Sequence, residues 1–71
     1  MIGQRYRLKT PVLVILNQDN THIPITIPAG SIVEVVGGPI NGDRVVDVSW
    51  EKTVVMMFTA DIRAHGVPVA A

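Results

Sequence analysis

Seventy-one residues without a cysteine, six Lys and Arg balanced by six Asp and Glu, and 48% hydrophobic content bound what this chain can be. The length allows one domain, residues 1–71, and excludes a disulfide framework or thiolate metal site for want of cysteine. Zero net charge argues against the strongly basic footprint of a general nucleic-acid binder.

Residues 1–6 read as a lead-in and residues 7–69 as the folded unit, with 70–71 a tail. Arg7 to Leu16 (RLKTPVLVIL) is the first strand candidate. Pro11 lacks a backbone donor, so the strand lies at an edge, bends there, or starts at Val12. The run from Val12 shows no alternation, which suits a strand covered on both sides. Asn17 to Asn20 (NQDN) reads as a turn. In THIPITIP, Ile23, Ile25 and Ile27 alternate with other residues, while Pro24 and Pro28 argue for an edge segment. Pro28-Ala29-Gly30 reads as a tight turn.

Ile32 to Phe58 carries the strongest pattern. Three Val-rich runs, SIVEVV, RVVDVSW and TVVMMF, are separated by GGPINGD and by EK, and they predict an antiparallel meander. In the middle run Val46, Val48 and Trp50 point one way and Val45, Asp47 and Ser49 the other. Asn41-Gly42 is the strongest local turn signal, and Glu51-Lys52 a weaker one. Thr59 to His65 (TADIRAH) reads as a helical turn, with Thr59 as cap, Asp61 near the positive end and Gly66 as stop. Val67 to Val69 can add a last short strand.

The apolar content exceeds what one inner face of so small a fold can hide. A chain of this size buries only roughly 60% of the surface its unfolded form exposes. An exposed apolar patch is therefore expected, and with it a homo-oligomer or another protein partner. The expected contact residues are Val12 and Val14 from the first apolar run, Val55 and Met57 from the third run of the meander, and Trp50 as anchor. Both faces of VVMMF are apolar, so one is expected to meet a neighbour.

The alternative is a nucleic-acid-binding module. Arg5, Arg7 and Lys9 alternate and would share one face of an extended segment, with Tyr6 among them. The first nine residues carry +3, and the remaining three bases against six acids leave −3. The other reading is a solubilising arm that pairs with acidic residues. His22 and His65 are too few for a metal centre, which needs three or four ligands, so no metal or cofactor is expected. Asp43, Asp47 and Glu51 read as solvated charges, and the absence of an acid, base and nucleophile set argues against an enzyme. Glycines 37, 38 and 42 lack the Lys and Ser/Thr of a phosphate loop. No apolar run is long enough to span a bilayer, and MIGQRYRLKT lacks the apolar segment of a secretory signal, so a cytoplasmic location is expected.

Five short strands with one helical turn before the last, together with IPAGSIVEVVGGPINGDRVVDVSW, resemble bacterial SH3-like and KOW-like modules over roughly residues 8–69. The resemblance implies an all-β fold, a small SH3-like barrel of about five antiparallel strands. A KOW-type module implies a nucleic-acid, ribosomal or polymerase partner. Ligand-binding SH3 domains carry an aromatic rim, with Trp at the start of the strand after the long loop. Here that strand starts at Arg44, Trp50 lies at its far end, and three aromatic residues are present in all. The barrel class also includes a small plasmid-borne dihydrofolate reductase with its site at the pore of a tetramer. Its active-site strand motif is absent here, which leaves an enzyme whose site forms only between subunits as a further alternative.

Overall fold

The computed structural model describes residues 2–40 and 44–69. The turn expected at Asn41-Gly42, and Asp43 beside it, lie outside the described residues. Seven strands and one helix follow in the order β1 (Arg5–Leu8), β2 (Val12–Gln18), β3 (Thr21–Ile27), β4 (Ile32–Ile40), β5 (Val45–Trp50), β6 (Thr53–Phe58), α1 (Thr59–His65) and β7 (Gly66–Val69). They form one antiparallel sheet in the order β3-β2-β6-β5-β4-β1-β7. The fold is all-β, with seven strands where about five were expected. Its edge strands β3 and β7 do not pair with each other, so the sheet is not hydrogen-bonded into a closed ring.

The meander is β4, β5 and β6, joined as the sequence suggests. β4 shifts register at Val35/Gly37 and again at Gly37/Ile40, which is how a sheet bends over its own core. β3 is an edge strand, as suits Pro24 within it. β2 begins at Val12, immediately after Pro11.

Two assignments differ from the sequence reading. The segment Arg7 to Leu16 is two strands, not one, and the first begins at Arg5, inside the expected lead-in. β1 is short and mostly polar, so periodicity does not reveal it. It is held by pairing on both sides with strands distant in sequence, β4 on one side and β7 on the other. Its ends are tied as well. Leu8 exchanges hydrogen bonds with the turn before β4, and the Lys9 N–H donates to the His65 carbonyl at 2.8 Å.

Thr59 is the first helical residue, not the cap. Phe58 takes the capping position in extended backbone, without a side-chain cap bond. The Thr59 hydroxyl is buried and has no partner among the described residues. Such a group costs about 1–3 kcal/mol. Asp61 in the first turn, and Arg63 and His65 in the last, suit the helix dipole. Gly66 ends the helix, and its backbone is extended. Glycine is required there by space: a Cβ would lie 2.6 Å from the Ile62 carbonyl oxygen.

The core gathers Leu8 of β1, Val12 and Val14 of β2, Ile27 of β3, Val33 and Val35 of β4, Val46 and Val48 of β5, Val55 and Met57 of β6, and Ile62 of α1. On each of these strands the members share one parity, so the cluster is covered by one face of one sheet. Tyr6, Leu16, Ile25 and Trp50 pack against its margin. Burying each such aliphatic side chain contributes about 1.5–3 kcal/mol.

Both tight hairpins close with two residues at positive φ, the mark of a type I′ turn. Asp19 and Asn20 tolerate this conformation. Glu51 (φ 48°) and Lys52 (φ 66°) do so only at a cost. Replacing Glu51→Asn with Lys52→Gly is expected to raise stability by about 1 kcal/mol, read from denaturant unfolding followed by Trp50 fluorescence. Gly66→Ala is expected to lower it by about 1–3 kcal/mol in the same assay, because the clash is with backbone.

Candidate functional site

The expected contact residues separate by face. Val12, Val14, Val55 and Met57 are all in the core, with Met57 at 0% exposure. Trp50 is half-buried on the same inner side, packed against the core margin. None of these five lies on the outer surface of the sheet, which corrects the sequence reading of them as a contact patch. The reason is the period of two. Where both faces of a strand are apolar, sequence cannot say which turns inward; the neighbouring strands decide.

The residues left outside are their neighbours in sequence. Leu13 is 55% exposed, Val54 54% and Phe58 49%. The pairing places them together. Val45 lies opposite Phe58, Asp47 opposite Met56 and Ser49 opposite Val54. Ile15 lies opposite Met56 across the β2–β6 seam. Stepping two residues along each antiparallel strand brings Leu13 beside Phe58. One row therefore runs Val45, Phe58, Leu13, and the next runs Asp47, Met56, Ile15, Pro24. The Asn17 amide donates weakly to the Met56 sulfur at 3.9 Å and marks the polar end of the patch.

The edges of the sheet are poor docking strands. On β7 the Gly66 N–H already donates to the Ile62 carbonyl, and Pro68, the next residue of the same parity, has none. On β3 the two-residue turn makes Gln18 and Thr21 the hydrogen-bonded closing pair. Alternation then puts Pro24 at a non-bonded position facing outward, between His22 and Thr26. An incoming strand meets an interrupted row of donors on one edge and a row without free donors on the other.

The basic strip does not hold together either. Arg5 and Arg7 point outward from β1, while Tyr6 turns to the inner side. The ring is thus on the opposite face from both guanidinium groups. Arg5 pairs with Glu34 at 3.1 Å, and both side chains are substantially exposed, so the pair contributes about 0–1 kcal/mol. Lys9 lies beyond the strand end. Tyr6 donates to the Gln4 side-chain oxygen at 2.9 Å. It helps line a shallow depression of about 190 Å³ with Gly3, Gln4, Arg5, Pro68 and Val69. Its only ionisable side chains are Arg5 and Tyr6, so no acid–base pair is assembled there.

His22 sits on β3, opposite Asn17, and His65 ends α1. Among the described residues no three His, Asp or Glu side chains come together as a metal site. No helix among them is long and apolar enough to cross a membrane.

The assignment of faces can be checked on two adjacent residues. Met57→Ala is expected to cost about 2–5 kcal/mol and Met56→Ala less than about 1 kcal/mol, measured by equilibrium denaturation. The reverse order of costs would mean that the sheet is turned the other way, and equal costs that the two faces are not distinguished by burial.

Comparison with known proteins adds no relative: no protein-family model, curated protein or solved structure matches the chain.

Proposed function

We propose that this chain is a non-enzymatic interaction module, a small SH3-like barrel that self-associates. The contact packs the outer face of β2, β6 and β5 against the same face of a second copy. The observation that carries this is the joined apolar rows, with Leu13, Val54 and Phe58 each about half exposed around Met56 and Ile15.

The barrel reading draws support from the strand order. Set aside the hairpin β2–β3, and what remains is β6-β5-β4-β1-β7, five antiparallel strands with the helix just before the last. The bulges in β4 and the single core cluster fit a sheet curled on itself.

A second copy suits the face better than an added strand suits the edges, because both edges lack a continuous row of donors. Zero net charge imposes no overall repulsion between copies. The size of the patch sets the strength. Three strands about 4.8 Å apart and six residues long present on the order of 300 Å² per copy. Twice that falls below the roughly 1,200–2,000 Å² of a stable complex, so the association is weak and concentration-dependent.

Size-exclusion chromatography with light scattering, run up to several hundred micromolar, is expected to show mass rising with concentration. Leu13→Asp combined with Phe58→Asp is expected to give a folded monomer throughout, since both positions are exposed. Wild-type protein that stays monomeric over the whole range would end the proposal.

A further inference from the structure

Resting on that reading, we infer that Asp47 governs the contact: it is the charged residue on the central row of the association face, and it holds the assembly weak and acid-sensitive. Asp47 interrupts an otherwise apolar row, with Met56 opposite it on β6 and Gly37 opposite it on β4. Its carboxylate leans over Gly37, where an added Cβ would come within 3.2 Å of an Asp47 oxygen. The glycine leaves bare backbone beneath the carboxylate and provides no side chain to pair with it.

The charged groups around Asp47 are few. β6 presents Val54, Met56 and Phe58 on this side, none of them titratable. On β4 the nearest acid, Glu34, lies opposite Ser49 and is engaged by Arg5. Along its own strand, Arg44 precedes β5 and Glu51 follows it. The only salt bridge among the described residues is that of Arg5 with Glu34, so among them Asp47 has no ion-pair partner, and its half-buried side chain is open to solvent water.

Packing a second copy over this row withdraws that water. A carboxylate moved from water to an apolar contact without a partner is strongly disfavoured in its charged form. The protonated form is not. A group that holds its proton more tightly in the assembly than in the free chain makes association stronger as pH falls. The gain is lost as pH rises, because the charged form must then be desolvated for the copies to pack. At neutral pH the same charge works as a guard: it opposes indiscriminate packing of apolar sheet faces while leaving the monomer soluble.

The test compares wild type and Asp47→Asn by sedimentation equilibrium between pH 4.5 and 8, with circular dichroism to confirm that both are folded at each pH. Asp47→Asn is expected to tighten self-association at pH 8 by about tenfold or more, since the amide carries no charge to desolvate. Its affinity is expected to vary less with pH than that of wild type. Unchanged affinity and pH profile, in a wild type that does associate, would overturn the role of Asp47 and leave the face itself standing. Weaker association of Asp47→Asn would overturn it too, since the carboxylate would then be making a favourable contact. A wild type that is monomeric at every pH would remove the association face, and this inference with it.

Discussion

Burial of one face of one sheet is the constraint on which the rest depends. Val14, Val46, Val48, Val55 and Met57 are drawn from three adjacent strands and are all at or near zero exposure. A slip of one residue in any of these strands would exchange its buried and exposed sets. The cluster therefore sets the register of β2, β6 and β5 together. It also determines that Leu13, Val54, Met56 and Phe58 face outward. The candidate interaction surface is a consequence of core packing; no separate design places it.

The N-terminal strand has a second organising role. β1 lies between β4 and β7 and connects the last four residues of the fold to the meander. Its intrinsic β signal is slight. Its stability comes from two partners and from the hydrogen bonds at its ends. Contacts so far apart in sequence carry a loop-closure cost, and they hold once the meander they join has formed. The same wiring sets Arg5 on Glu34 and puts Arg5 and Arg7 on the opposite face of β1 from Tyr6.

Local compromises concentrate at the connections. Glu51 and Lys52 take a conformation that glycine or asparagine would adopt more readily, because β5 and β6 must turn within two residues to keep Val48 opposite Val55. The Thr59 hydroxyl is buried without a partner among the described residues where β6 runs directly into α1. Gly66 is demanded by the Ile62 carbonyl as the chain passes from helix to strand. In each case packing of the core overrides local preference. The glycine at 37 belongs with these, since it lets the Asp47 carboxylate lie across β4.

The sequence by itself determined the all-β class, the meander from Ile32 to Phe58, the edge position of the proline-bearing β3, and the helical turn before the last strand. Those are local signals: alternation, turn residues, and a proline that cannot donate. It also implied surplus apolar surface, because 48% hydrophobic content is a property of composition. Only the tertiary structure decided where the surplus lies. Val12 and Leu13, or Met56 and Met57, are nearly interchangeable as residues, and their fates differ because neighbouring strands present one parity to a shared core. Pro11 signalled the start of β2 at Val12, but the strand before it was invisible, since β1 is defined by partners at Ile32–Glu34 and Gly66–Val69 rather than by its own side chains.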